Sequence, residues 1–119
     1  MYKSFKEMPI WQEAMDIAIV VYNISECLPK KEDYGLTSQI RRATVSVSAN
    51  IAEGFGRYHK KDKVNFYYYC RGSIFETQSL LEYGLRVKYF NSEDVFSLDS
   101  RLNSLTESLN KLIKSLNNS

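Results

Sequence analysis

The sequence has little of what small disulfide-bonded, metal-dependent or loop-rich domains need. It contains two cysteines, two prolines, five glycines and one histidine in 119 residues. So few glycines and prolines argue against an all-β chain. Cys27 and Cys70 fall inside helical patterns and form no CxxC pair, so both are interpreted as buried free thiols. We therefore expect a fold that depends on its hydrophobic core alone.

Long apolar runs and a large excess of charge are also missing. The longest strongly apolar stretch, residues 17–22, is far shorter than the ~20 residues of a membrane span. With no signal-peptide pattern or sorting tail, the expected location is the cytoplasm, with no membrane partner. Sixteen Lys and Arg against 14 Asp and Glu leave a net charge of +2. A charge this small does not by itself indicate a nucleic-acid partner.

Hydrophobic residues instead recur at steps of three and four, which is typical of amphipathic helices. The spacing predicts one all-α domain, an antiparallel up-down-up-down four-helix bundle. The second pattern is rich in small residues, so we expect a central helix there. Gly72 and Gly84 suggest close helix contacts in the third. In the fourth, a strict leucine repeat ending in Leu112 and Leu116 predicts an outer helix with Ser92 as its N-cap. The predicted helices span about residues 10–28, 36–56, 62–90 and 93–116.

Four consecutive aromatic residues lie in the first half of the predicted third helix. Because successive helical residues point about 100° apart, Phe66 and the three tyrosines after it cannot all face one core. Three interpretations are open: partly exposed tyrosines, a subunit interface, or a platform on which bases stack. The candidates for an exposed aromatic interface are Tyr67, Tyr68 and Tyr69.

A polar stripe borders the apolar face of the second helix, at steps of three and four residues. Ser73 and Glu76 form a matching ridge on the third helix. Such a stripe is typical of a hydrogen-bonded seam between helices or between subunits, and an ordinary solvated face is the alternative. We hypothesise that Arg41 or Arg42 pairs with Glu76. The residues of this candidate seam are Arg41, Arg42, Ser46, Asn50, Glu53, Ser73 and Glu76.

The sequence contains no recognisable catalytic motif. The single histidine, His59, lies in a basic loop, and no Glu-x-x-His pair of the kind used in helical di-iron sites is present. No Walker-type loop or GxSxG elbow occurs. We therefore expect a non-catalytic protein without metal or cofactor.

A basic segment with interleaved aromatics joins the second and third helices. Cations mixed with Tyr58 and His59 suit phosphate contacts and base stacking. A solvated turn is the alternative, and oligomerisation would multiply weak phosphate sites. The candidate nucleic-acid contacts are Arg57, Lys60, Lys61 and Lys63.

Several motifs together resemble a known family. They are Trp11-Gln12-x-Ala14, the run from Tyr34 to Ala43, Val45-Ser46-x-x-x-Asn50-Ile51-Ala52-Glu53-Gly54-x-Gly56-Arg57, and Gly72-Ser73-x-x-Glu76. The chain resembles the 23S rRNA intervening-sequence protein family, also called the four helix bundle protein family. The resemblance covers the first three helices, and the fourth matches only as a leucine repeat.

The resemblance implies a small bacterial protein that forms a homo-oligomer, most simply a pentameric ring. The family is similar to the accessory protein of diversity-generating retroelements, a basic barrel that binds nucleic acid and a reverse transcriptase. The expected function is therefore non-catalytic, with RNA or a nucleic-acid-processing protein as the partner. The alternative is a protein-protein interaction scaffold without nucleic acid.

Overall fold

A computed structural model describes all 119 residues as four α-helices without strands. Each helix packs against the one before it and the one after it, and α4 closes the arrangement against α1. This is the predicted antiparallel up-down-up-down bundle, and it measures 46 × 23 × 20 Å. The helices are α1 (Pro9–Ser25), α2 (Leu36–Phe55), α3 (Lys60–Arg86) and α4 (Ser92–Asn117), with 3₁₀ turns at Phe5–Glu7 and Lys30–Glu32.

The helix ends differ from the predicted ones for local reasons. Helix α4 is capped by Asn91, whose Oδ1 accepts the Asp94 amide at 2.7 Å, and not by Ser92, which is its first residue. Helix α3 ends at Arg86 because the backbone N–H groups of Tyr89 and Phe90 both turn back to the Gly84 carbonyl. Either an asparagine or a serine can cap a helix, so sequence pattern alone did not separate these neighbours.

The core is built from one face of each helix. On α4 the buried positions are Val95, Leu98, Leu102, Leu105, Leu109 and then Ile113. The predicted Leu112 and Leu116 are only partly buried, because the step after Leu109 is four residues instead of three. Cys70 is a buried free thiol as expected, but Cys27 is exposed beyond the end of α1 and corrects that interpretation.

Two of the three glycines in the helices make room for an aromatic ring. A Cβ on Gly54 would lie 2.6 Å from the Tyr67 ring, so α2 and α3 approach closely here. A Cβ on Gly84 would meet the Phe90 ring at 2.3 Å, which is a contact with the following turn and not with a helix. A Cβ on Gly72 would have no neighbouring atom within 4 Å, so the close contact predicted for this glycine is wrong.

One bidentate ion pair links the first and last helices. Arg101 on α4 donates from Nε and Nη2 to the two carboxylate oxygens of Glu13 at 3.0 and 2.8 Å. The hydrogen bond lowers the pKa of Glu13 and raises that of Arg101.

No helix combines the length and the apolar character that crossing a bilayer would require.

Candidate nucleic-acid interface

The polar stripe joins α2 to α3 through its smallest side chains. The hydroxyls of Ser46 and Ser73 lie 2.9 Å apart across the two helices. Asn50 donates from Nδ2 to the Ser46 carbonyl at 2.9 Å and to its hydroxyl at 3.0 Å. The contact between the two serines crosses from α2 to α3, whereas the bonds of Asn50 stay within α2 and support the Ser46 hydroxyl. The polar seam between the helices is therefore one hydroxyl pair, held in place by Asn50.

The arginines of the stripe do not pair with Glu76. Arg41 points to α1 instead, where its Nε donates to the Ser25 hydroxyl at 2.8 Å and its Nη2 to the Tyr22 carbonyl at 3.2 Å. Its guanidinium also lies 4.2 Å from the centre of the Tyr22 ring. A cation is stabilised at a helix C-terminus, where unpaired carbonyls concentrate negative potential. The Arg41 side chain thus caps a carbonyl in the last turn of α1.

The other two members of the hypothesised pair are left at the surface. Arg42 is exposed and donates to the Ser38 hydroxyl at 3.1 Å, one turn earlier on its own helix. Glu76 is exposed and takes part in none of the four ion pairs of the molecule. The hypothesis that Arg41 or Arg42 pairs with Glu76 is therefore wrong within one chain.

Glu53 and Arg57 form a loose pair at the end of α2. Their closest charged atoms are 3.8 Å apart, and both side chains are about half exposed. The Arg57 guanidinium covers the Phe66 ring at 4.5 Å, and Phe66 meets Tyr69 edge to face at 5.6 Å. Part of the Arg57 charge is therefore offset within the molecule.

The basic segment divides into bound and free cations. Lys63 donates from Nζ to the carbonyls of Phe55 at 2.8 Å and Gly54 at 3.3 Å, so it caps the C-terminus of α2. Lys60 and Lys61 are exposed and make no hydrogen bond or ion pair through their side chains. Tyr58 beside them is 91% exposed. Of the four predicted cations, these two lysines carry charge that a ligand can reach without displacing an internal partner.

The three consecutive tyrosines of α3 are not equivalent. Tyr67 is only 2% exposed, so it cannot belong to an exposed aromatic interface, and that expectation is corrected. Burial raises its pKa to about 12. The Tyr67 ring can be buried because Gly54 has no side chain, which leaves the space that the ring fills. Tyr68 and Tyr69 are exposed as expected, at 41% and 60%.

The exposed tyrosines continue into an apolar surface that the sequence reasoning missed. Phe75 and Tyr83 follow on the outer side of α3, and each is 53% exposed. A second exposed apolar group lies on α1 and α2, where Ile19 and Val45 are 52% and 57% exposed. Outward positions at steps of three and four could have been counted from the sequence once the buried face of α3 was fixed.

Glu32 forms a second arrangement that no sequence spacing indicated. One carboxylate oxygen accepts the Leu36 amide at 3.0 Å and so caps α2, and the other accepts the Tyr89 hydroxyl at 3.0 Å. These bonds lower the pKa of Glu32 and raise that of Tyr89. Glu32 and Tyr89 are 57 residues apart, so only the folded chain brings them together.

The structure offers small surface depressions and no metal-binding cluster. No three His, Cys, Asp or Glu side chains come together in a way that could hold a metal ion. Burial raises the pKa of the Cys70 thiol to about 12, so it stays protonated at neutral pH. A depression of about 240 Å³ beside Glu32, Gly35, Leu36, Gln39, Leu80 and Tyr83 is open to solvent.

The chain is a small four-helix bundle. Polar side chains bond to the backbone at its helix ends, and exposed lysines and aromatic rings lie on its surface. The family model of the 23S rRNA-intervening sequence protein matches residues 6–111, and the chain belongs to that family. A similar solved structure is a protein of unknown function from the S23 ribosomal protein family of Bacteroides thetaiotaomicron. It is 23% identical over 88% of this chain and 98% of that one, with a TM-score of 0.81, and so shares the fold. No curated protein matches the chain.

Proposed function

We propose that the chain is a non-catalytic RNA-binding protein that works as a homo-oligomer. The observation that carries the proposal is the pair of free lysines, Lys60 and Lys61, beside the exposed ring of Tyr58. Cations bind the phosphate backbone, and an exposed ring stacks on a base. Membership of a family named for an intervening sequence of 23S rRNA supports RNA as the nucleic acid. A cytoplasmic location agrees with such a partner.

Assembly is supported by apolar surface that the single chain leaves uncovered. Tyr69, Phe75 and Tyr83 are exposed on α3, whereas Ile19 and Val45 are exposed on α1 and α2. Two different surfaces that join head to tail generate a closed ring when the rotation between copies closes. A pentamer is the ring that the family resemblance favours, and it would repeat the free lysines five times. Weak phosphate contacts then act together.

RNA binding is tested by titrating a labelled RNA with the protein at several salt concentrations. We expect affinity to fall as salt rises, because each phosphate contact releases a counterion. The double variant Lys60→Glu/Lys61→Glu should lose binding. Lys63 is left unchanged because it caps α2, so that a loss of binding cannot be caused by a damaged helix end. The matched control is Lys30→Glu/Lys31→Glu, two exposed lysines in the α1–α2 connection.

Assembly is tested by light scattering. One chain weighs 13.8 kDa, and we expect a mass several times larger, about five times for a pentamer. Phe75→Ser should lower the mass if the α3 surface lies between copies, whereas Lys61→Ser should not. A mass of one chain at high protein concentration would reject the oligomer.

The second candidate function is a protein-interaction scaffold without nucleic acid. The exposed aromatic side of α3 favours it, because a surface rich in tyrosine and phenylalanine is typical of protein interfaces. The two functions separate at low salt. A chain that assembles but binds no RNA at about 50 mM salt, where phosphate contacts are strongest, would be a scaffold.

A further inference from the structure

Basic side chains from three separate segments meet at one end of the bundle. The antiparallel topology brings the residues before α1, the α2–α3 turn and the last turns of α4 to the same end. The 3₁₀ turn that precedes α1 packs against both α1 and α2, which places it beside the α2–α3 turn. We call this surface the basic end. Its exposed lysines without an internal partner are Lys3, Lys6, Lys60, Lys61, Lys111 and Lys114.

The basic end holds more positive charge than the whole chain. Its three segments, residues 1–8, 56–63 and 107–119, contain eight Lys and Arg against three Asp and Glu, a net charge of +5. The opposite end, residues 26–35 and 82–94, contains four Lys and Arg against six Asp and Glu, a net charge of −2. The overall charge of +2 therefore hides a strong separation along the long axis. An anionic polymer is attracted to one end and repelled from the other.

Exposed rings lie among these cations. Tyr58 is 91% exposed and follows the end of α2, and Tyr2 is 46% exposed beside Lys3. Tyr58 is supported from the side by His59, whose ring it meets edge to face at 5.0 Å. Bases inside a duplex are stacked on each other, so such rings can be used only by unpaired bases.

We infer that the whole basic end, and not the α2–α3 turn alone, binds single-stranded RNA, with its six free lysines on phosphates and Tyr2 and Tyr58 on bases. This inference rests on the proposed RNA-binding function and adds two things to it. It extends the contact to segments before α1 and at the end of α4, and it selects unpaired over duplex RNA. Lys63 contributes indirectly, because by capping α2 it offsets the negative helix end that would otherwise face the phosphates.

The inference is tested by fluorescence anisotropy with a labelled poly(U) oligonucleotide of about 16 nucleotides, competed by unlabelled duplex RNA. The variants are Lys111→Gln/Lys114→Gln and Lys3→Gln/Lys6→Gln, each of which removes two charges far in sequence from the α2–α3 turn. We expect each pair to weaken binding about tenfold and to reduce the salt slope by about 1.4, since single strands give roughly 0.7 per phosphate contact. The control, Lys30→Gln/Lys31→Gln at the opposite end, should change neither quantity.

The stacking part has its own variants. Tyr58→Ser should weaken binding to poly(U) about tenfold without changing the salt slope, because stacking releases no counterion. Tyr34→Ser is its control, since Tyr34 is 99% exposed at the opposite end. Duplex RNA should compete at least tenfold less well than the single strand.

Each failure has a distinct meaning. If wild-type protein binds poly(U), and Lys60→Glu/Lys61→Glu abolishes binding while the α4 and N-terminal variants bind normally, the extended site is wrong and the proposed function stands. If duplex RNA competes equally well, the selection of unpaired RNA is wrong. If wild-type protein binds neither RNA at about 50 mM salt, the proposed function and this inference both fall. Circular dichroism of every variant checks that the bundle is intact.

Discussion

At each end of α2 a basic side chain bonds to the carbonyls of a neighbouring helix end, but the residues packed around that contact differ. At the α1–α2 corner (residues 22–41), Arg41 of α2 caps the C-terminus of α1. At the α2–α3 corner (residues 54–67), Lys63 of α3 caps the C-terminus of α2. In both, a basic side chain of the following helix holds the carbonyls of the preceding one, where the helix dipole favours a cation.

Each corner also contains a glycine that makes space for one side chain. A Cβ on Gly35 would lie 2.7 Å from Oε1 of Glu32, and one on Gly54 would lie 2.6 Å from the Tyr67 ring. A carboxylate at the end of a flexible chain can move aside, whereas a buried ring cannot. Both corners therefore carry a basic cap, but the space beside the glycine holds a hydrogen-bonded carboxylate at the first corner and a packed ring at the second.

The largest expected effect is that of Gly54→Ala. The new methyl overlaps the Tyr67 ring in a filled core, and such overpacking lowers the free energy of unfolding by about 1–3 kcal/mol and occasionally more. We expect at least about 3 kcal/mol here, because two ring atoms lie within 3 Å of the new carbon and the buried ring has no space to move into. Urea unfolding measures it. Gly72→Ala is the control, because the space around Gly72 is open and Ala is the better helix former by about 1 kcal/mol. An unchanged midpoint for Gly54→Ala would show that the second corner is not held by packing.

Arg41→Met should follow closely. It leaves the Tyr22 carbonyl and the buried Ser25 hydroxyl without their charged donor, and hydrogen bonds to charged groups contribute about 1.5–3 kcal/mol. Thermal unfolding measures the loss. Arg42→Met, which removes only an exposed bond to Ser38, should stay within about 0.5 kcal/mol of the wild type. Equal losses in both variants would contradict a special role for Arg41.

Lys63→Met should lower the free energy of unfolding less, by about 0.3–1 kcal/mol. The Gly54 carbonyl keeps its bond from the Arg57 amide, and no buried hydroxyl loses a donor as Ser25 does in Arg41→Met. Hydrogen exchange should become faster in the last turn of α2 and stay unchanged at the end of α1. Lys61→Met is the matched control, because its side chain is exposed and has no polar partner. A loss as large as that of Arg41→Met would remove the difference between the corners.

The smallest effect is a response to acid at the first corner alone. The pKa of Glu32 lies below its ordinary value of 4.5. The contribution of this carboxylate to folding stability is therefore fully present above pH 4.5 and is lost as the pH falls through the lowered pKa. The NMR signal of the Leu36 amide should titrate with Glu32, while the amides at the end of α2 should not follow it. Gly35→Ala should shift this titration upward, since it disturbs the carboxylate. A Leu36 signal that ignores pH would exclude the cap.

The sequence predicted what depends on periodicity and missed what depends on partners distant in the chain. Four amphipathic repeats were enough for the bundle and for a hydrogen-bonded seam that includes Ser46 and Ser73. Helical spacing places Arg42 on the polar stripe and Arg41 only beside it. The partners of Arg41 on α1 are 16 and 19 residues away and carry no periodic signal. Helical geometry predicts that four consecutive rings cannot all be buried, but it does not say which of them face the core. The contact with Gly54 explains why Tyr67 is the fully buried one.

The elongated shape of the molecule places its positive and negative charges at opposite ends of the long axis. A rod of 46 × 23 × 20 Å with opposite charges at its tips is an electric dipole along its own long axis. Such a rod turns as it approaches a polyanion, so that it arrives tip first. If the proposed RNA binding holds, the long sides stay free of RNA. Neighbouring copies can then pack side by side while all their positive ends face the strand.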